Sequence, residues 1–274
     1  MVAFTRLISV AVMAAVSSVS AAPTPFYPSL DKPTVSKRGA AYNDVSLVKS
    51  LQTGKSISWA YNWNMDSDGD LPEGVVYAPM LWGTKMLDGW SSAVEKALSA
   101  GSKMIFGFNE PDIGSQSALS VSQAVSLFRQ YITPYADRAS LATPAVTNSV
   151  VDGQGLAWLQ QFLEECSDCK ISTLALHWYG ESVEDFKSQV NKAADLAQQH
   201  GLEQVWVTEF ALNDASQATP FLKQALPFLD AHPAVGGYAY YYCAPGYLVD
   251  GAAGASKAVG AAALSDAGKT YTTA

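Results

Sequence analysis

Two glutamates are the strongest candidates for chemistry in this chain. Glu110 follows an apolar run that begins at Met104, and Glu209 follows another that begins at Gln204. A carboxylate at the end of an apolar strand is costly unless it is paired or hydrogen-bonded. Two facing carboxylates can hydrolyse a glycosidic bond, with retention when they are about 5–5.5 Å apart and with inversion at about 6.5–9.5 Å. The residues alone leave both outcomes open, and they predict that the two acids work together.

The neighbours of these acids suit a sugar substrate. Asn109 could hold a sugar hydroxyl, and Tyr179 or His177 could donate a hydrogen bond to a nucleophilic carboxylate. Aromatic side chains suit the C–H faces of sugar rings, although a Trp near a strand end is as often a core residue. The predicted substrate-binding set is Asn62, Trp63, Trp82, Asn109, His177, Trp178, Tyr179, Tyr240 and Tyr242, of which the last two share a strand face because they are two apart.

Alternating strand-like and helix-like segments must position these residues. Strands are predicted at 40–43, 56–63, 75–82, 104–109, 141–146, 172–179, 204–211 and 235–243, and helices at 44–51, 91–100, 120–136, 156–166, 183–200 and 220–230. This alternation predicts an α/β fold, a compact single-domain (β/α)8 TIM barrel. The link from 63 to 75 is too short for a helix. Glu110 and Glu209 then follow the fourth and seventh strands, on opposite sides of the barrel mouth.

The N-terminal region is expected to be removed. Residues 1–21 have the pattern of a secretory signal peptide, with Arg6 before a short apolar run and Ala21 at the cleavage site. Residues 22–38 are Pro-rich and end in Lys37-Arg38, which indicates a propeptide trimmed at a dibasic site; two solvated charges in a linker are the alternative. The catalytic domain is then 39–274, and the protein is expected to be secreted, extracellular or associated with the cell wall.

The net charge limits the classes of binding partner, and the cysteines predict local structure. The net charge of −8 at pH 7, without a basic run, argues against nucleic acid or an anionic membrane and fits a neutral substrate. The protein is expected to be a monomer. Cys166 and Cys169 are predicted to form a small disulfide, with two free thiols as the alternative, and Cys243 is predicted to be a buried small hydrophobe. Asp66, Asp68 and Asp70 lack the glutamate that closes a calcium loop, so a solvated turn is expected there. No metal is expected because the two-carboxylate chemistry needs none, and no cofactor is expected because the sequence has no cofactor motif.

Several motifs, taken in order, resemble those of the fungal alkali-sensitive-linkage-type proteins of glycoside hydrolase family 128. The motifs span 38–43, 58–63, 79–83, 107–112, 177–179 and 206–210, so the resemblance covers nearly all of the chain from Gly39 to about Tyr271. One departure is in the last strand, where relatives often carry a Trp at the place of Tyr240 or Tyr241. That departure concerns one sugar subsite.

The resemblance implies a clan A type barrel that cleaves β-1,3-glucan internally with retention. It implies that Glu110, in Asn-Glu-Pro, is the acid/base and that Glu209, in Thr-Glu-Phe, is the nucleophile. The expected partner is a β-1,3-glucan polysaccharide or oligosaccharide. The alternatives are a wall-bound glucan-binding protein with little turnover and a hydrolase of another β-glycan such as mannan or xylan.

Overall fold

The structure is a computed structural model that describes residues 36–52, 56–251 and 262–273. The predicted signal peptide and all of the predicted propeptide except its last three residues lie outside the described residues. The strands are β1 (Gly39–Ala41), β2 (Trp59–Tyr61), β3 (Val76–Tyr77), β4 (Met104–Ile105), β5 (Ser140–Leu141), β6 (Thr173–Gly180), β7 (Gln204–Leu212) and β8 (Val235–Tyr240). The helices are α1 (Val45–Val48), α2 (Trp90–Ser99), α3 (Val121–Tyr131), α4 (Gly155–Glu165), α5 (Val183–Gln199), α6 (Ala218–Ala231) and α7 (Asp266–Thr273).

Every strand pairing is parallel, which makes this a single-domain α/β fold. The strands pair in the orders β1-β2-β3, β4-β5 and β6-β7-β8. Isolated parallel bridges join these groups to one another, between Met80 and Phe106, Ala142 and Thr173, and Arg38 and Tyr238. Strand order therefore follows chain order throughout, as the alternation of the sequence predicts.

The second to fifth strands are shorter than predicted. Glu110 and Trp63 have positive φ angles of 42° and 59°, in the left-handed region that non-glycine residues rarely adopt. A backbone in this conformation leaves the extended path, so regular pairing ends before these residues. Beyond β4 the contact continues as a single bridge between Asn109 and Ala145. The chain turns at the points where it presents side chains to the candidate site.

One buried cluster collects side chains from β1 to β6 and β8 or the residues just after them, and Trp206 of β7 packs against it. It comprises Ala41, Trp59, Tyr61, Ala78, Met80, Met104, Phe106, Ala142, Ala145, Ala175 and Ala239. The ring centroids of Trp59 and Trp206 lie 4.7 Å apart, and those of Trp59 and Phe106 lie 5.7 Å apart. The alanines leave room for these large rings, so the strands share a packed core beneath the candidate site.

The helices cover the outside of the strands with their apolar faces. In α3, for example, Ala124, Val125 and Phe128 are buried, and Ser120 with Gln123 forms a capping box at its start. The link between β2 and β3 contains no helix, as predicted from its length. A disulfide joins Cys166 at the end of α4 to Cys169. Among the described residues, none of the helices has the length and apolar character needed to cross a membrane.

Lys37 and Arg38 are integrated into the fold where β8 meets β1. Arg38 is only 7% exposed, and its guanidinium donates hydrogen bonds to the Tyr238 hydroxyl, the Tyr271 carbonyl and Asp230. The ammonium of Lys37 donates to backbone carbonyls at the end of α6. This dibasic pair therefore ties the first strand to the last two helices. The predicted cleavage after Arg38 stays a prediction.

Candidate active site

Three side chains from separate strands meet at the carboxyl ends of the strands. Glu110 follows β4, His177 lies in β6 and Glu209 lies in β7; His177 is fully buried and Glu209 is only 6% exposed. Nδ1 of His177 lies 2.8 Å from Glu110 Oε1, and its Nε2 lies 3.3 Å from Glu209 Oε1. One carboxylate oxygen of each glutamate and one ring nitrogen all lie within 4.8 Å of one another. The imidazole therefore sits between the two acids.

Glu209 accepts hydrogen bonds on both carboxylate oxygens. The Trp63 indole nitrogen donates to Oε1 over 2.6 Å, the Tyr61 hydroxyl lies 3.5 Å from the same oxygen, and the Tyr179 hydroxyl donates to Oε2. Burial and the charge of Glu209 raise the pKa of both tyrosines, so they remain protonated donors. Donors aimed at both oxygens hold an ionised carboxylate in a fixed orientation, as a nucleophile requires.

Glu110 has a different environment. It contacts His177, and its side chain is 13% exposed, so it reaches the open side of the site. Burial disfavours a charged His177, but the negative charges of Glu209 and Glu110 outweigh this effect, and the pKa of His177 is raised. A carboxyl with one histidine contact and access to solvent can exchange protons, which suits an acid/base group.

Asn109 lies beside the acid/base candidate with one polar atom free. Its Nδ2 donates to Gln116 over 3.3 Å, whereas its Oδ1 is buried without a hydrogen-bond partner. Buried polar atoms without partners are rare in folded proteins. An acceptor here fits the donor that a sugar hydroxyl would supply, as predicted for Asn109.

Aromatic rings line the site next to the nucleophile. The Trp63 ring lies 5.8 Å from Tyr241 and 6.0 Å from Tyr242, and Tyr179 lies 5.5 Å from Tyr241. Tyr242 also lies 4.8 Å from Tyr247, in the loop after β8. Trp82 is half-buried, with the Lys85 ammonium 5.9 Å above its ring. Trp63, Trp82, Tyr179 and Tyr242 thus remain candidates for sugar contacts.

The structure contradicts the prediction that Trp178 binds substrate. Trp178 is fully buried, its ring stacks on Phe221 at 5.8 Å, and its indole nitrogen donates to Asp185. Successive side chains of a strand point to opposite faces. His177 and Tyr179 therefore face the site, while Trp178 faces the surrounding helices.

The prediction for Tyr240 is wrong for a related reason. Tyr240 is 2% exposed and packs against Phe210, with ring centroids 5.4 Å apart, and against Tyr271 at 6.5 Å. The strand β8 ends at Tyr240, so the alternation expected to place Tyr240 and Tyr242 on one face does not continue. Tyr241 and Tyr242 face the site instead.

Asn62 lies near the site but is engaged in its own turn. Its Nδ2 donates to the carbonyl of Asp66 and to Asp68, and its Oδ1 accepts from the Tyr77 hydroxyl over 2.5 Å. These bonds occupy the side chain, so Asn62 shapes the loop after Trp63 and the structure does not support direct substrate binding by Asn62.

Sequence reasoning missed Tyr61 and Tyr247 and named Tyr241 only as one of two possible positions of a sugar subsite. Tyr61 approaches Glu209, Tyr241 packs between Trp63 and Tyr179, and Tyr247 extends the ring cluster. The period of two within 59–63 could have identified Tyr61, since it shares a face with Trp63. Tyr241 and Tyr247 lie in or next to a loop whose direction the strand pattern does not give.

The two glutamates and His177 also present oxygen and nitrogen atoms of the kind that can ligate a metal ion. Glu110, His177 and Glu209 could each offer one ligand atom. The two oxygens of Glu209 already accept hydrogen bonds from Trp63 and Tyr179. Two carboxylates suffice for glycoside hydrolysis without an ion, so the contacts are explained by the acid pair itself.

Comparison with known proteins connects this geometry to a family. A family model described as "Glycosyl hydrolase catalytic core" matches residues 39–271. The chain is 30% identical over 252 residues to alkali-sensitive linkage protein 1 of Schizosaccharomyces pombe. That match covers 86% of this chain but only 44% of the relative, so the chain spans less than half of that protein's length.

Solved structures give a similar result over the full fold. A curdlan-specific exo-β-1,3-glucanase of glycoside hydrolase family 128 from Blastomyces gilchristii is 40% identical, with a TM-score of 0.79, over 87% of this chain and 98% of that one. A family 128 endo-β-1,3-glucanase from Lentinula edodes is 25% identical, with a TM-score of 0.70, over 86% and 98% of the two chains. Together with the paired acids at the strand ends, these matches show that the chain belongs to the glycosyl hydrolase catalytic core family and is a glycoside hydrolase of the family 128, alkali-sensitive-linkage type.

Proposed function

We propose that this protein is a retaining β-1,3-glucanase in which Glu110 is the acid/base and Glu209 the nucleophile. The observation that carries the proposal is the contrast between the two acids around one histidine. Glu209 is held by donors on both oxygens, while Glu110 has His177 on one side and the open site on the other. One oxygen of Glu110 lies within 4.8 Å of one oxygen of Glu209. This short approach supports retention, because inverting enzymes keep the two carboxyl groups about 6.5–9.5 Å apart.

The chemistry follows two displacements. Protonated Glu110 gives its proton to the glycosidic oxygen as Glu209 attacks the anomeric carbon, which breaks the bond to the leaving sugar and forms a glycosyl-enzyme ester. Glu110, now ionised, takes a proton from water, and the water oxygen attacks the same carbon and releases Glu209. Asn109 Oδ1 would accept a bond from a sugar hydroxyl beside this carbon.

We further propose a closed (β/α)8 barrel as the scaffold. The bridges that connect β3 with β4, β5 with β6 and β8 with β1 support it, since they supply the three junctions between the paired groups. In such barrels catalytic residues stand at the carboxyl ends of the strands. Glu110 and Glu209 occupy such positions.

The proposed substrate class, β-1,3-glucan, comes from the relatives. Two of these, at 40% and 25% identity, are described as exo- and endo-β-1,3-glucanases respectively. The resemblance of the motifs predicts internal cleavage, and we retain that mode as the outcome to test against release from chain ends. A monomer is part of the same proposal.

A digestion panel tests the proposal. Purified protein is incubated with laminarin, curdlan, mannan and xylan, beside Glu110→Gln, Glu209→Gln and the control Glu95→Gln, whose carboxylate lies on the surface with Arg138. We expect products from laminarin or curdlan only, lost in both active-site variants and unchanged in the control. Glucan binding without products from the wild type would support the binding alternative, and products from mannan or xylan alone would contradict the substrate class.

Two readouts refine the reaction. Proton NMR of the first product gives its anomeric configuration, and an initial α-anomer would contradict retention of a β-linkage. Laminarin oligosaccharides labelled at the reducing end distinguish internal cleavage from release of glucose at one end. Both measurements use the wild-type protein.

We propose that the protein is secreted after removal of residues 1–21. The Cys166–Cys169 disulfide fits an oxidising compartment.

Cleavage after Arg38 would separate its guanidinium from β1, the strand that it holds in place. N-terminal sequencing of protein from the culture medium decides between the two sites. A start at Gly39 supports dibasic trimming, and a start at Ala22 contradicts it.

A further inference from the structure

Asp112 belongs to the Asn-Glu-Pro-Asp motif but takes no part in the proposed chemistry. Its carboxylate accepts hydrogen bonds from the Thr147 hydroxyl over 2.6 Å, from the Thr147 backbone nitrogen over 3.3 Å and from the Gly155 nitrogen over 2.9 Å. Gly155 is the first residue of α4, where a negative charge is favourable. Asp112 thereby fastens both ends of the loop 147–155, which follows the fifth strand.

Asn148 lies in this loop, and its side-chain amide bonds to the backbone of β6. Its Nδ2 donates to the Tyr179 carbonyl over 2.9 Å, and its Oδ1 accepts from the Tyr179 backbone nitrogen over 3.1 Å. The backbone contact between the fifth and sixth strands ends just before this point, with the His177 nitrogen bonded to the Val146 carbonyl. Beyond Val146, the side-chain amide of Asn148 therefore makes the hydrogen bonds to the sixth strand that a neighbouring backbone would otherwise make.

Tyr179 connects this amide to the nucleophile. Its hydroxyl donates to Glu209 Oε2, and its ring packs edge-on against Tyr241 at 5.5 Å. The position of the hydroxyl depends on where the Tyr179 backbone lies, since the ring has few rotatable bonds. Small displacements of groups that orient reacting atoms cost rate, about 100-fold for roughly 1 Å.

We propose that Asn148 is a positioning residue for the nucleophile, acting through the backbone of Tyr179 to aim its hydroxyl at Glu209. Asp112 supports this function by fixing the loop that carries Asn148. The inference rests on the proposed role of Glu209. It extends that role to a residue on the far side of Tyr179 that touches neither acid.

A double-mutant cycle separates positioning from general structural support. We expect Asn148→Ala to lower kcat on laminarin about 10-fold while KM changes less than about twofold. In a Tyr179→Phe background, which has already lost the hydroxyl, Asn148→Ala should lower kcat by less than about twofold further. Asn213→Ala is the matched control, because that amide bonds to Glu181 at the surface. A full additional loss in the Tyr179→Phe background would overturn the proposal.

A crystal structure of Asn148→Ala gives a readout that does not depend on the substrate. We expect the Tyr179 hydroxyl to leave hydrogen-bonding distance of Glu209 Oε2, beyond about 3.5 Å. A hydroxyl that stays in place would overturn the inference. A wild type that is inactive on all β-1,3-glucans would instead refute the proposed function, and the crystal structure would still decide the role of Asn148.

Discussion

The indole nitrogen of Trp63 donates a 2.6 Å hydrogen bond to Oε1 of Glu209, from a backbone with a φ of 59°. Unusual backbone angles of this kind persist where the surrounding structure holds them, and they concentrate at functional sites. The sequence predicts a tryptophan that stacks on sugar. The structure adds a second property, because the edge of the same ring binds the nucleophile while its neighbours are Tyr241 and Tyr242.

Replacement of Trp63 by Phe separates these two properties. Phe keeps an aromatic face but has no N–H, so Glu209 loses one of its donors. Hydrogen bonds to charged groups contribute about 1.5–3 kcal/mol, and we expect kcat/KM on laminarin to fall about 10- to 100-fold. The fall should be mainly in kcat, as measured by steady-state kinetics.

Trp82→Phe is the matched control for that variant, since the Trp82 carbonyl accepts a hydrogen bond from the Asn109 nitrogen next to Glu110, while its ring lies beneath Lys85. We expect its kcat to stay within about threefold of the wild type, in contrast to Trp63→Phe. If Trp63→Phe changed KM alone, the indole nitrogen would have no role in orienting the nucleophile.

The sequence predicted the architecture better than the details of the site. Order and type of the strands follow from apolar periodicity, and the positions of Glu110 and Glu209 follow from the ends of those strands. Sequence reasoning places Trp178 and Tyr240 at the substrate site, whereas both pack in the core. Proximity to a strand end does not determine which face of the strand a side chain points to. The period of two would have corrected Trp178, given the inward direction of His177 and Tyr179.

Other contacts of the site could not be predicted from any periodic pattern in the sequence. The donor from Trp63 to Glu209 depends on a left-handed backbone at a non-glycine residue, which local sequence does not indicate. Asn148 meets Tyr179 across 31 positions of the chain, and the contact between the fifth and sixth strands brings them together. Such contacts are set by tertiary packing.

The pKa of His177 gives a stability prediction with a definite sign. The pKa is raised in the folded protein because Glu209 and Glu110 outweigh the opposing effect of burial. A raised pKa contributes stability that is complete below the ordinary value of 6.5 and is lost as the pH rises through the folded-state pKa. We therefore expect the difference in unfolding midpoint between wild type and His177→Gln to be larger at about pH 6 than on the alkaline side.

His232 supplies a control of opposite sign. Burial and the nearby charge of Lys37 lower its pKa, and its Nδ1 accepts a hydrogen bond from the Ala234 nitrogen. The contribution of His232 to stability should be present above pH 6.5 and lost as the pH falls. Thermal unfolding of His232→Gln across the same pH range tests this, and matching trends for the two variants would refute the electrostatic explanation.

The contrast between Trp82 and Trp178 predicts different outcomes for two tryptophans near strand ends. Trp82→Ala should raise KM for laminarin several-fold and leave the unfolding midpoint close to that of the wild type, because the side chain is half-buried on a residue bonded to Asn109. Trp178→Phe should lower the midpoint, since it leaves Asp185 without its indole donor and creates space beside Phe221.

Kinetics and thermal unfolding on the same preparations test this pair. We expect KM of Trp178→Phe to remain within about twofold of the wild type, because removing a core contact leaves uniform substrate binding unchanged. An increase in KM without loss of stability would instead place Trp178 in contact with the glucan.

Arg38 is predicted to be a major contributor to stability. Its side chain is 8% exposed, and it bonds to Asp230, Tyr238 and the Tyr271 carbonyl, which joins β1 to α6, β8 and α7. Breaking a buried pair costs about 3–5 kcal/mol. Because the Asp230 side chain is 42% exposed, water can solvate the carboxylate that remains, and we expect Arg38→Ala to lose about 2–3 kcal/mol.

Denaturant unfolding of purified protein that begins at Ala22, and therefore keeps residue 38, measures this loss. Arg138→Ala is the matched control, because Arg138 forms a surface pair with Glu95 and both side chains are about half exposed. Exposed pairs contribute little since solvent screens them, so the control should unfold near the wild-type midpoint. Equal midpoints for Arg38→Ala and wild type would mean that the first strand is held without the guanidinium. The dibasic pair would then be free to act as a processing site.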